Sequence, residues 1–299
     1  MNWLHGISIT CFAASYAVAF GFEISRVFSR KNFQRYVATI FAAAGLFAHS
    51  VYLTLQTQFN LDTTGIWSGS WSGWCLTGAW VLAAAYLWYS VRKSETVVGI
   101  FIIPLVMLLI GVGTSVQTAD AFSDSQARSM WSMLHGSALL FGTVIVSLGF
   151  AFGLMYLYQA YRLKRKMFSP DFRLPSLEWL QVAMERALWV SALMLGLGLI
   201  SGIVINSINN ESKAADYVLP WSDPVVWTSG VLFAWLLSVT VFNFVYQPSR
   251  QGRKVAYLVV ASFLFLVLEL GIVWFSGHAV SNQETAALTA VVESMEASK

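Results

Sequence analysis

Long apolar runs alternate with short polar connections along the chain. Eight runs reach the roughly 20 residues that a helix needs to cross a hydrocarbon layer of about 30 Å. They lie near 4–25, 36–57, 71–91, 96–115, 131–161, 187–208, 225–247 and 255–277. Lipid offers no partner for free backbone groups, and the alternating pattern of barrel strands is absent. The pattern therefore predicts an all-α, polytopic integral membrane bundle of eight transmembrane helices.

The domain organisation follows from these runs. Residues 1–278 form the predicted eight-helix domain, and 279–299 form a non-cytoplasmic C-terminal tail. The basic segment 162–186 is predicted to be a cytoplasmic amphipathic connector, whose helix starts near Pro175 and Ser176. The composition agrees with a membrane protein, since 57% of the residues are hydrophobic and only 11% are charged.

Positive charges are confined to alternate connections. Fifteen of the 18 Lys and Arg residues follow spans one, three, five and seven, and the opposite connections carry acidic side chains. The positive-inside rule then places both termini on the non-cytoplasmic side. The net charge of +3 reflects this topology and gives no indication of nucleic-acid binding.

The four histidines lie away from the basic connections. His5, His135 and His278 lie at outer helix ends, whereas His49 lies about 12 Å inside span two. Haem iron takes axial imidazoles and its porphyrin suits aromatic walls, so these positions are compatible with haem. Outer tryptophans that would supply such walls are Trp67, Trp71, Trp74, Trp131, Trp221 and Trp227. The alternative is structural, since Trp is enriched at membrane interfaces and a buried His usually completes a hydrogen bond.

Glycine spacing indicates where three of these rings point. Steps of seven residues nearly restore the angle around a helix, and small residues mark contacts between membrane helices. The residues that share a face are Gly142, Gly149 and Gly153 with His135, Gly45 with His49, and Gly271 and Trp274 with His278. We therefore expect these rings to face protein rather than lipid.

Enzyme signatures are missing from the sequence, which contains no HExxH, GxGxxG, P-loop or GxSxG pattern. Glu269 is the one acid deep in a span, and it lies nine residues before His278, about 180° around the helix. We expect a protonated, hydrogen-bonded Glu269, with a proton relay as the alternative. Glu23 lies one turn from Arg26 near the inner boundary.

Several blocks carry a family resemblance. They are FAAAGLFAHSVYL in span two, GIWSGSWSGWCLTGAWVLAAAYLWYSVRKSETVVGIFIIPLVMLL in spans three and four, WSMLHGSALLFGTVIVSLGFAFGLMYLYQAYRLKRK in span five, LPSLEWLQVAMERALWVSALMLGLGLISGIV in span six with its connector, and QGRKVAYLVVASFLFLVLELGIVWFSGH in span eight. In order and register over residues 36–280, these blocks resemble the cytochrome c assembly protein family, specifically its HemX-like branch.

The resemblance implies a haem-binding, haem-handling protein of cytochrome c maturation in the bacterial cytoplasmic (inner) membrane. It implies that His135 and His278 coordinate a non-covalently held b-type haem at the outer face, beside a loop bearing Trp221, Asp223 and Trp227. His49 would either relay haem or brace the bundle. The implied partners are haem, the lipid bilayer, other cytochrome c assembly proteins and apocytochrome c.

Two departures from the family pattern favour an accessory role over a complete synthase. The signature WGxxWxWDP is reduced to DYVLPWSDPVVW, in which only Asp223 and Pro224 hold their places, and Asn243 stands near the position of a family histidine. Two other functions are compatible with the chain. One is a HemX-like regulator whose segment 162–186 docks a soluble haem-biosynthesis enzyme, and the other is a transporter, indicated only by Pro104 and Glu269.

Overall fold

The computed structural model is an all-helical bundle. It describes residues 8–28, 32–63, 71–92, 96–115, 130–166, 173–212, 224–245 and 252–276, and no strand occurs within these ranges. The eight helices are α1 Ile9–Phe28, α2 Asn32–Thr63, α3 Trp71–Arg92, α4 Gly99–Ser115, α5 Met130–Lys164, α6 Leu177–Ser212, α7 Pro224–Val245 and α8 Gly252–Ser276. The prediction of an all-α polytopic bundle is confirmed.

Seven of these helices are long and apolar enough to cross a membrane, counted over the described ranges. The remaining helix, α4, corresponds to the predicted span 96–115; it is apolar but only 17 residues long. It runs antiparallel to α3, since Gly99 packs beside Tyr86 and Gly113 packs beside Cys75 and Ser72. The α4 helix therefore retraces most of the length of α3.

The connector before span six belongs to the bundle. Helix α6 is continuous from Leu177 to Ser212, so the last part of the connector and the span form one helix. Ser176 caps it through a bond from the Trp179 amide to its hydroxyl at 3.3 Å, which confirms the predicted helix start. The Trp179 ring packs against Tyr89 and Phe152, with ring centroids 5.1 and 5.5 Å away. These contacts dock the first turns of α6 on α3 and α5.

The helices form two packed halves. In the first half, α1 packs on α2 and α4, and α3 packs on α2 and α4; in the second, α5 packs on α6 and α8, and α7 packs on both α6 and α8. Each half has its own buried apolar cluster, and α5 joins the halves through contacts with α3 and α4. Most candidate residues described below belong to the second half.

Candidate functional site

His135 lies in the second turn of α5, and its ring is held by α6. Its Nδ1 lies 2.7 Å from the carbonyl oxygen of Gly198, which also accepts a bond from the Ser201 hydroxyl at 2.9 Å. Gly202 faces the same ring, since a Cβ there would lie 3.0 Å from the Cε1 atom of His135. The prediction that His135 faces protein rather than lipid is confirmed.

This contact fixes the chemistry of the imidazole. A carbonyl oxygen only accepts hydrogen bonds, so the proton of the neutral ring resides on Nδ1 and the lone pair on Nε2. Metal-ligating histidines commonly donate one ring N–H to a backbone carbonyl, which fixes the tautomer and the ring orientation. The contact with Gly198 therefore holds the ring of His135 in one orientation and one tautomer, as in a metal-ligating histidine.

The glycines of α5 make the helix contacts that their spacing predicts. A Cβ at Gly142 would meet Leu195 on α6 at 3.2 Å, and one at Gly149 would meet Ala187 at 3.3 Å. Gly153 instead faces α8, where Val260 would lie 3.3 Å away. The face that carries His135 thus lines the contact of α5 with both α6 and α8.

Trp74 is an outer tryptophan that packs against α5 at Gly136, the residue that follows His135. It reaches from α3 to Gly136, where any Cβ would overlap its benzo ring. Its indole Nε1 is buried, and no described group accepts a hydrogen bond from it. Trp227, near the start of α7, is instead 67% exposed.

Several predicted residues lie outside the described ranges. They are His5, Trp67, Trp221, Asp223 and His278, together with the side chains of Trp71 and Trp274. On the face of α8 that would continue to His278, Val267 is 49% exposed and no described atom lies within 4 Å of a Cβ built at Gly271. The orientation of His278 stays a prediction.

His49 lies in the first half, away from the surroundings of His135. Its ring is fully buried and stacks on Phe12 of α1, with centroids 4.1 Å apart and planes 3° apart. Its Nδ1 lies 3.4 Å from the Tyr16 hydroxyl, and Gly45 gives Tyr16 room, as their shared face predicts. Leu76 brings its backbone near the ring, yet Nε2 makes no hydrogen bond. Within the described ranges, no contact joins His49 to His135.

Two buried carboxyl groups have partners from neighbouring helices. Glu269 on α8 accepts a hydrogen bond from Ser229 on α7, so the prediction that it is hydrogen-bonded is confirmed. Glu23 pairs with Arg26 at 2.9 Å and accepts a bond from Tyr86 on α3 at 2.7 Å. Among the described residues, no group of three or more His, Cys, Asp or Glu could hold a metal ion.

Sequence reasoning did not find some of these neighbours. Gly198 and Gly202 form a small-xxx-small pair, a recognised signal of close helix approach that could have identified α6 as the partner of His135. Tyr86 and Ser229 carry no such local signal, because they meet their carboxyl partners only through tertiary packing.

An apolar helical bundle with seven helices of spanning length defines a multi-pass membrane protein. A family model described as Cytochrome C assembly protein matches residues 9–279, most of the chain. The chain therefore belongs to the cytochrome c assembly protein family, and this membership supports a membrane role in cytochrome c maturation. Comparisons with curated proteins and with solved structures return no match.

Proposed function

We propose that this protein binds a non-covalent b-type haem at its outer face and holds or delivers it during cytochrome c maturation. His135 and His278 would hold the haem through their ring nitrogens, and bound haem would supply an iron centre. The observation that carries the proposal is the bond from the Nδ1 of His135 to Gly198. That bond orients the ring and fixes its tautomer, as a backbone carbonyl does for many metal-ligating histidines.

The side of α8 that faces α5 has room for a flat ligand near its outer end. Val260 packs against Gly153 in the inner part of this flank, whereas Gly271, three turns further out, faces open space among the described residues. An α5–α8 contact that is closed inward and open outward suits a cofactor at the outer end. Trp221, Asp223 and Trp227 are proposed to cover it, and Trp227 has an exposed side chain available for this role.

For His49 we favour bracing over relay. Its ring face is occupied by Phe12 and the side chain is fully buried, so an iron could reach it only after the α1–α2 contact opened. The stacked ring and the Tyr16 hydroxyl together join α1 to α2. Bracing requires no such opening.

The proposed topology has eight crossings, both termini on the non-cytoplasmic side, in a bacterial cytoplasmic membrane. With 17 residues, α4 spans about 26 Å, and it retraces α3. Four arginines stack on aromatic rings at the helix ends that the charge pattern places inside: Arg35 on Tyr36, Arg92 on Trp88, Arg162 on Tyr158, and Arg165 on Tyr161. Arginine and aromatic side chains are typical of membrane interfaces, so these pairs mark one boundary plane.

The proposed function is tested by purification in mild detergent with haem supplied, followed by the Soret absorbance. We expect haem in the wild-type protein and its loss from both His135→Ala and His278→Ala, with His49→Phe as the control that retains haem. Haem-free wild-type protein, or unchanged spectra in both alanine variants, would remove the proposed site. Partners of the loaded protein, proposed to be apocytochrome c or other assembly proteins, can then be captured by crosslinking.

One observation favours a second role as a regulator. Lys164, Arg165 and Lys166 end α5 as exposed side chains, which leaves a basic surface for an acidic soluble enzyme of haem biosynthesis. Neutralising all three should abolish binding of that enzyme while haem content stays unchanged. The transporter alternative gains no comparable support, since α4 continues through Pro104 and each described helix is continuous.

A further inference from the structure

A groove of about 520 Å³ lies between α5 and the first three turns of α6. Its apolar lining residues are Phe152, Trp179, Val182 and Ala183. Its polar lining residues are Ser176, Glu178 and Arg186. A groove lined by both apolar and charged side chains suits a ligand that is itself amphipathic.

Arg186 occupies an unusual position for a charged side chain. It is exposed and lies on the outward-facing stripe of α6, between Val182 and Trp189, which are 40% and 48% exposed. The same stripe continues to Leu193 and Ile200, which are 59% and 60% exposed. In a helix that crosses a membrane, such a stripe faces lipid, where an isolated charge is costly.

The depth of Arg186 places its guanidinium near the lipid headgroups. Positions along α5 give the depth of Arg186. Its neighbour Ala187 packs beside Gly149 of α5, and the first residue of α8, Gly252, packs beside Tyr156, which lies seven residues further along α5. The Cα of Arg186 therefore lies about 10 Å inside the level where α8 begins. Helical side chains lean toward the N-terminus, so the guanidinium reaches back toward that boundary, along the groove.

We propose that this groove is a phospholipid-binding site, with the lipid phosphate on Arg186 and an acyl chain along Phe152, Val182 and Ala183. Glu178, at the other end of the groove, gives the site its headgroup preference. Neither Glu178 nor Arg186 forms an ion pair with any described residue. A headgroup with a phosphate and an ammonium satisfies both charges, and a primary ammonium, unlike that of choline, also donates hydrogen bonds to the Glu178 carboxylate. The preferred lipid is therefore phosphatidylethanolamine.

A lipid is a better occupant than a soluble protein because the groove opens onto the lipid-facing stripe. The basic end of α5 at Lys164 lies about 18 Å beyond Phe152 along that helix, so a soluble partner at that end would leave Arg186 uncovered. Guanidinium binds phosphate through two parallel charge-assisted hydrogen bonds, which are stronger than neutral ones. The inference is independent of haem binding.

The test is lipid retention by the full-length protein in mild detergent, measured by native mass spectrometry. The protein is incubated with an equimolar mixture of phosphatidylethanolamine, phosphatidylcholine and phosphatidylglycerol. We expect one retained phosphatidylethanolamine, and about a tenfold loss of all phospholipid retention in Arg186→Gln. Glu178→Gln should remove the preference over phosphatidylcholine. The matched control is Arg165→Gln, which removes an exposed arginine outside the groove and should retain lipid like the wild type.

Ala183→Phe provides a second variant that fills the groove without changing its charge. It should abolish retention while the size-exclusion profile and thermal midpoint stay close to those of the wild type. Wild-type retention in either Arg186→Gln or Ala183→Phe would overturn the site. Stronger retention of phosphatidylglycerol than of phosphatidylethanolamine would overturn the headgroup assignment, and absence of any retained lipid in the wild type would overturn both.

Discussion

Gly202→Ala tests how α6 sets the orientation of His135. The added methyl group would lie 3.0 Å from Cε1 and 3.2 Å from Nδ1 of the ring, closer than ordinary van der Waals contact. The ring must then move by a few tenths of an ångström, away from the Gly198 carbonyl that it contacts at 2.7 Å. Losing the hydrogen-bond partner of a metal-ligating histidine typically lowers metal affinity about 10-fold to 100-fold.

The assay is a haem titration of the purified protein, followed at the Soret band, beside thermal unfolding in the same detergent. Gly230→Ala on α7 is the matched control, because no described atom lies within 4 Å of its added Cβ. Both changes replace Gly by Ala inside a helix, so the propensity difference of about 0.5–1 kcal/mol cancels between them. Only Gly202→Ala should weaken haem binding.

One result would refute the reasoning about orientation. If His135→Ala loses haem while Gly202→Ala binds it as tightly as Gly230→Ala, His135 is a ligand whose direction α6 does not control. If the wild type binds no haem, the failure lies with the proposed function and not with the geometry around Gly202.

Two further predictions concern the first half. Gly99→Ala should lower the free energy of unfolding by about 1–3 kcal/mol, because its methyl would lie 2.7 Å from atoms of Glu23 and Tyr86. Gly111→Ala on the same helix is the control, because Gly111 faces open space among the described residues. Thermal unfolding should show no such loss for Gly111→Ala. His49→Ala should cost about 3–5 kcal/mol. His49→Phe should cost less, since phenylalanine keeps the stack and removes the unpaired Nε2, and loses only the 3.4 Å contact with the Tyr16 hydroxyl. The opposite ranking in thermal unfolding would contradict bracing.

Local periodicity is what made much of the bundle predictable. The helices follow from apolar runs, and the orientation of His135 follows from glycines at seven-residue steps, because both patterns depend only on residues close in sequence. The joining of the connector to span six was missed. Trp179, Leu180 and Met184 bury against the bundle, and a charge pattern does not reveal that packing.

Contacts between helices that are distant in sequence could not be predicted from the sequence pattern. Tyr86 meets Glu23 across 63 residues, and Ser229 meets Glu269 across 40. One hydroxyl among many similar ones has no periodic signal, since its role depends on how the helices pack. The stack of His49 on Phe12 was hidden for the same reason, because His49 alone is equally compatible with a ligand and with a brace.

The two halves of the bundle differ in how tightly they are packed. In the first half, a buried ion pair, a stacked imidazole and the tight packing at Gly99 resist rearrangement, since exposing or unpairing any of these groups is costly. The second half carries a glycine-lined face on which no described atom lies within 4 Å of a Cβ at Gly271. Because Gly99 and Gly202 share no partner, the effects of Gly99→Ala and Gly202→Ala on unfolding should add within about 0.5 kcal/mol. A larger coupling would mean that packing around Gly202 in the second half depends on how the first half packs.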